Sequence, residues 1–436
     1  MTVQEMKKAA CEAIDKHRQD LLDLAASIES EPELGYKEFK TAAKIKKVLD
    51  ELGFKYQDEV AITGIVTPVE GRNHNAKVAV MGELDAVLVP DCPTADPVTH
   101  AAHCCGHNAQ ATCVVGVAYA LAETGIMKEL DGDIVLMHVP SEEFVELEYR
   151  KGLIDQGLIS CIGGKQEFIK LGVFDDIDAM IMQHSGMVKE ENGKLIYGNP
   201  GGEGGLGFVG RMVKYTGKAC HAAAPWNGIN ALKAANVGMM AIDAQRETFP
   251  PADNVRVHPI VTKGGDLVNV VPSEVKIETY VRANNTDGIL NAAEKVDRSF
   301  KAGADAIGAQ VEITKMAGYM CPVDCPPLKS LVCDNMIQLW GEEHVDPIGF
   351  GGSTDASDVA HVVPTVHARV GGAAGTGHGA DYKIADPDMA ILDASKILVC
   401  SAIDLLANGA EKALQIKKEW QPPMTKEEYL SKWLGL

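Results

Sequence analysis

His100-Ala101-Ala102-His103-Cys104-Cys105-Gly106-His107-Asn108 puts three histidines and two cysteines within eight residues. The whole chain holds 13 His and 11 Cys, so an even spread would not give this density. Imidazole and thiolate are the side chains that bind zinc-like ions best. An apolar stretch of helical character follows at once. Cys105 and His107 are therefore expected on the turn before a helix N-terminus, a location that lowers a thiol pKa and favours the thiolate. No second Cys/His pair with finger spacing appears, which argues against a closed structural zinc site.

Four further groups carry related chemistry. His138-Val139-Pro140-Ser141-Glu142-Glu143 lies just past an expected strand. Adjacent carboxylates repel unless a cation or a shared proton intervenes. One of them can bind a metal while its neighbour activates water as general base. Gln183-His184 ends another apolar run, and Gly377-His378-Gly379 sits in a glycine-rich segment. In Gly82-Glu83-Leu84-Asp85-Ala86, Asp85 is placed to orient a metal-bound imidazole from behind. Each group alone is more often structural; together they fall after strands or in glycine turns, where a metal site collects ligands. Farther on, His221, Asn269 and Arg282 stand at expected strand ends. They suit the polarising of a carbonyl and the clamping of a carboxylate, although strand-end polar residues usually do neither.

The elements that must hold these residues follow from periodicity. The first fifty residues read as helix, with a turn at Glu31-Pro32-Glu33-Leu34-Gly35-Tyr36. Strands are expected at 77–81, 133–139 and 178–182, with helices such as 111–123 between them. That alternation predicts an α/β layer with a mostly parallel sheet. The glycine-dense run Asn199 to Gly210 reads as a hinge. It lacks the Lys-Ser/Thr of a phosphate loop, and Glu203 interrupts it. Beyond it come strands at 208–215, 256–262 and 274–281 and helices at 230–247 and 288–303. This is a small α+β domain inserted into the larger one. The expected division is 1–206 and 317–436 for the catalytic domain and 207–316 for the insert.

Composition bounds the rest. The chain has 436 residues, 41 basic and 61 acidic, for a net charge of −20. An acidic surface repels nucleic acid and anionic membranes, so neither is an expected partner. No apolar run approaches a membrane span, and the N-terminus lacks an apolar signal core. Scattered cysteines, odd in number, are then expected as reduced thiols in a cytoplasmic protein.

The motifs, in order along almost the whole chain, resemble the aminoacylase/carboxypeptidase G superfamily of dinuclear metallohydrolases. They are Pro32-Glu33-Leu34-Gly35, Gly82-Glu83-Leu84-Asp85-Ala86, Cys105-Gly106-His107-Asn108, Pro140-Ser141-Glu142-Glu143, Gly163-Gly164-Lys165 and Gly172-Val173-Phe174-Asp175-Asp176. His221-Ala222-Ala223-Ala224-Pro225-Trp226, Asn269-Val270-Val271-Pro272 and Ser353-Thr354-Asp355 complete the set. The branch that looks nearest splits indole-acetyl-amino acids and aminobenzoyl-glutamate. The resemblance implies a zinc-peptidase-like catalytic domain with an inserted lid and dimerisation domain. It implies two divalent ions, Zn or Mn, held by Cys105, His107, Glu143, His184 and His378. It makes Glu142 the general base, Asp85 a carboxylate behind the ligands, His221 an oxyanion donor, and Asn269 and Arg282 substrate binders. A homodimer through the insert is implied, with its His and Asn reaching the other subunit's site. The substrate implied is a small amide: an N-acyl amino acid, aromatic acyl groups included. The alternative is an unusual dipeptide such as a β-alanyl one. A cysteine hydrolase built on Cys105 and His107, and a non-catalytic binding protein, are the rivals from other classes.

Overall fold

The strand Lys77–Glu83 reads Lys-Val-Ala-Val-Met-Gly-Glu, and every residue after Lys77 is buried. A strand without a solvated face belongs in a parallel sheet covered on both sides. The computed structural model describes residues 1–202, 204–348 and 353–435. In it, Lys77–Glu83 lies parallel to Asp133–Val139 on one side and to Ala179–Met187 on the other. Thr365–Ala374 continues the parallel set beyond Ala179–Met187. Antiparallel strands finish the sheet: Gly64–Val69 and Gln57–Val60 at one edge, Gly198–Asn199 at the other, with Lys383–Ile384 paired to Thr365–Ala374. The class is α/β, with a mixed sheet whose four central strands are parallel.

Helix His107–Thr124 is rich in Ala and Val and buried along almost its whole length. A helix apolar on all sides can be stable only inside a core. It packs on the sheet and against helices Val3–Lys16, Arg18–Glu29 and Ala394–Leu406. Because the four central strands run the same way, the segments following Glu83, Val139, Met187 and Ala374 emerge on one edge of the sheet. That carboxyl edge is where ligands bind in open α/β sheets.

The chain divides into two compact units. The first is Met1–Glu203, Val323–Gly351 and Asp355–Leu436; the second is Gly204–Pro322 with Gly352–Thr354. The second holds an antiparallel sheet in the order Arg256–Lys263, Glu274–Ala283, Gly207–Thr216, Gln310–Ala317. Along Glu274–Ala283 burial alternates strictly, the period of a strand with one covered face. Helices Ala231–Gln245 and Thr286–Ile307 pack on each other and on these strands.

Two local expectations change. The strand through Met182 runs on to Met187, so His184 sits within it rather than at its end. The fourth strand of the small unit, Gln310–Ala317, was not expected. It is an edge strand with mostly half-buried or exposed residues, so its apolar signal is weak. Glu203, read as interrupting the glycine run, lies outside the described residues. Among the described residues no helix is long and apolar enough to cross a membrane.

Candidate active site

The carboxyl edge of the central strands carries the residues singled out above. Gly106, at φ +82°, turns the chain from Cys105 into the helix that His107 begins. A Cβ at Gly106 would lie 2.4 Å from the Tyr382 hydroxyl, so only glycine fits this left-handed turn. Cys105 Sγ lies 3.2 Å from His184 Nε2. His184 Nδ1 faces the Ser185 carbonyl at 2.8 Å, which places a ring proton on Nδ1 and turns Nε2 toward Cys105. His107 repeats the arrangement. Its Nδ1 lies 2.9 Å from the Asp85 carbonyl and 3.1 Å from Asp85 Oδ1.

The carboxylate pair is set by a second left-handed turn. Ser141 has φ +57° just after the strand Asp133–Val139. Its N–H donates to Glu38 Oε1 at 2.8 Å, and its hydroxyl donates to the Ile162 carbonyl at 3.2 Å. The Glu143 N–H donates to Asp85 Oδ2 at 2.8 Å. Glu143 Oε1 lies 3.1 Å from His378 Nε2, and the His378 N–H donates to the Cys104 carbonyl at 2.9 Å. His378 itself has φ +61°.

Three overlapping sets of donor atoms result, each with its atoms within 4.8 Å of one another: Cys105, His107 and His184; Cys105, Glu143 and His378; Glu83, His107 and Glu142. Within the third set His107 Nε2 is 4.0 Å from Glu142 Oε2. The five side chains implied as ligands therefore come together, with Glu142 beside them. Buried Glu83 Oε2, His107 Nε2 and Glu143 Oε1 find no hydrogen-bond partner among the described residues. Such atoms carry a desolvation cost unless something binds them. Thiolate, imidazole and carboxylate at these separations fit divalent ions.

The electrostatics fit as well. Burial alone would raise the Cys105 thiol, but the adjacent His184 and His107 outweigh it and hold the thiol well below its ordinary value. Burial raises Glu142 well above the carboxylate range, and repulsion from Glu83 and Glu143 adds to this. Glu143 is raised by burial and by Cys105. Contact with Cys105 and Glu143 pushes His378 up to about 11. A cavity that favours the Cys105 thiolate while burial and mutual repulsion oppose the Glu142 and Glu143 carboxylates is short of positive charge at that pair.

The remaining sequence candidates belong to the second unit. His221 pairs with Val270 in an isolated antiparallel bridge, and the Ala222 N–H donates to the Asn269 carbonyl at 2.9 Å, so His221 and Asn269 occupy adjoining loops. Arg282 stacks over Phe208, with 4.6 Å between guanidinium carbon and ring centre, and donates to Ser353 Oγ at 3.0 Å. Three residues of the first unit, Glu83, Lys165 and Asp355, lie in the sequence motifs without a role predicted for them. Lys165 Nζ donates to Glu83 Oε1 at 2.6 Å and to Asp355 Oδ1 at 2.5 Å, and all three are fully buried. The signal that could have found Glu83 is its place two residues before Asp85 at the end of a buried strand. Glu38, which holds the Ser141 turn, gave no sequence signal beyond the neighbouring Pro-Glu-Leu-Gly.

Comparison with known proteins agrees with this geometry. Residues 79–402 match peptidase family M20/M25/M40. The Xaa-Arg dipeptidase of Mus musculus is 28% identical, with 98% of this chain and 94% of the relative covered. Among solved structures, an aminobenzoyl-glutamate utilization protein from Klebsiella pneumoniae superposes with TM-score 0.68 at 19% identity, covering 91% of this chain and 99% of that one. A dinuclear metal-binding M20 peptidase of Bacillus subtilis gives TM-score 0.65 at 19% identity over 90% and 99% of the two chains. The family match spans the strands and loops that gather the donors, and so the chain belongs to peptidase family M20/M25/M40, in its amidohydrolase branch, as a metal-dependent hydrolase.

Proposed function

We propose that this hydrolase cleaves the amide bond of an N-acyl amino acid, aromatic acyl groups such as aminobenzoyl included. The observation that carries the reading is the buried Glu142 within a chain of three donor clusters, the first joined to the second through Cys105 and to the third through His107. Cys105, His107, Glu143, His184 and His378 would hold two divalent ions, zinc or manganese. Such ions supply Lewis-acid polarisation of the amide carbonyl and lower the pKa of an attacking water. Glu142 takes the proton of that water on a carboxylate oxygen and returns it to the departing nitrogen. His221 donates to the oxygen on which negative charge develops. Arg282, held over the Phe208 ring and tied to Ser353, pairs with the carboxylate of the leaving amino acid, and Asn269 binds beside it. The protein acts as a homodimer through the inserted domain, with His221 and Asn269 serving the opposite subunit.

A second reading is a dipeptidase. It is favoured by the near full-length likeness to the mouse Xaa-Arg dipeptidase. One assay separates the two. Metal-reconstituted protein is offered aminobenzoyl-glutamate, indole-acetyl-amino acids, β-alanyl dipeptides and Xaa-Arg dipeptides, and kcat/KM is compared. Preference for the aryl-acyl amides supports the amidase. Preference for dipeptides overturns it in favour of the exopeptidase. No hydrolysis with metal bound overturns both. Activity that survives a strong chelator overturns the metal reading and leaves Cys105 as nucleophile.

A further inference from the structure

Glu83 was not among the ligands implied by resemblance, yet its surroundings are those of one. Its side chain is fully buried at the end of the strand Lys77–Glu83. Oε1 is bound by Lys165 at 2.6 Å. Oε2 is turned the other way and lies 3.2 Å from His107 Nε2. Neither of these two atoms makes a hydrogen bond of acceptable geometry among the described residues. The Asp85 carbonyl and carboxylate are placed to take a ring proton on Nδ1, which leaves Nε2 directed at Glu83 Oε2. Both buried atoms would be satisfied if they bound one cation.

The dimensions suit such an ion. With metal–donor bonds of about 2.0–2.2 Å, donors on adjacent positions of one ion stand roughly 3–3.6 Å apart. The 3.2 Å between His107 Nε2 and Glu83 Oε2 falls in that range, and Glu142 Oε2 is 4.0 Å from the same nitrogen. Charge points the same way. Lys165 neutralises only one of its two carboxylate partners, Glu83 and Asp355, and all three groups are fully buried. An uncompensated buried carboxylate is costly unless it is paired or binds metal.

We infer that Glu83 is a direct metal ligand, donating through Oε2 to the ion that His107 also holds, with Lys165 and Asp355 fixing its orientation. The assignment rests on the dinuclear hydrolase reading, and metal binding tests it without reference to substrate. Chelator-stripped protein is titrated with Mn²⁺ or Zn²⁺ by calorimetry, and bound metal is counted by elemental analysis. Wild-type chain should take two ions. Glu83→Gln should keep its circular dichroism and bind one ion tightly. Its affinity for the second should fall by more than the roughly 10–100-fold that loss of an outer-sphere partner costs. Two ions bound to Glu83→Gln with wild-type affinity would overturn the assignment and leave the hydrolase reading standing. Fewer than two ions on the wild type would overturn the dinuclear reading, and the assignment with it. If Glu83→Gln does not fold, Glu83→Asp keeps the charge that Lys165 requires while withdrawing the oxygen from the ion. A drop of more than tenfold in second-ion affinity is expected there, and an unchanged affinity overturns the proposal.

Discussion

Asp85 grips His107 and the Glu143 backbone at once. Its Oδ1 and carbonyl lie 3.1 and 2.9 Å from His107 Nδ1, while its Oδ2 accepts the Glu143 N–H at 2.8 Å. One fully buried carboxylate thus sets the tautomer of one donor and the position of another. Asp85→Asn keeps the volume and an acceptor for Nδ1 but turns an NH₂ toward the Glu143 N–H. Metal affinity should fall about 10–100-fold, with less change in melting temperature than a cavity would give. Calorimetric titration of the stripped variant checks this, and wild-type affinity would remove Asp85 from the site.

The two adjacent glutamates should separate cleanly. Glu142→Gln is expected to retain both ions and lose roughly 10²–10⁴-fold in kcat, the usual worth of a positioned acid–base group. Glu143→Ala is expected to lose metal, read by elemental analysis. Full turnover in the first variant, or unchanged metal in the second, would reverse the roles.

Glu38 supports both from below. Burial pushes its carboxyl up to about 8, and nearby Asp85 adds to the shift. It accepts from Ser141 N–H and, at 2.6 Å, from the Thr63 hydroxyl. Glu38→Ala leaves the Ser141 N–H at a left-handed turn without its partner. The cost should be about 1–3 kcal/mol of stability. kcat should fall more than KM rises, since the turn aims Glu142. A variant with lowered melting temperature but wild-type kcat would confine Glu38 to a structural part.

Acid should unfold the protein partly through His138. This ring is buried in the strand Asp133–Val139, with Nε2 3.2 Å from the Ala111 carbonyl, and burial pushes it down to about 4. Its ordinary value is about 6.5. The folded state therefore binds fewer protons than the unfolded state between those limits. The stability tied to the neutral ring is full above about 6.5 and is lost as pH falls toward 4. From pH 7 to 5 the loss is about 2 kcal/mol. The stability gap between wild type and His138→Gln should narrow by that amount at pH 5 in denaturant titrations; a constant gap would contradict it.

Service in trans by His221 has its own test. Inactive His221→Ala and inactive Glu142→Gln, mixed under conditions where subunits exchange, should regain part of the wild-type activity through hybrid dimers. No recovery after proven exchange would place His221 in cis or outside the reaction.

The chemistry of this chain was legible because it is local. Cys105-Gly106-His107, Glu142-Glu143 and Gly82-Glu83-Leu84-Asp85 each follow a buried apolar strand or precede a buried apolar helix, and periodicity reveals both. The α/β class follows from the same alternation. Tertiary structure alone decided which donors meet. Parallel pairing of Lys77–Glu83 with Asp133–Val139 and Ala179–Met187 sets Asp85, Glu143 and His184 at one edge, although sequence distance says nothing of strand order. It also decided that Glu83 faces His107 while Lys165 and Asp355 stand behind it. Those three residues lie 82 and 190 positions apart, and a buried charge network of that reach has no period to betray it. Only the closed core, by denying them water, makes the pairing of Lys165 with both carboxylates obligatory.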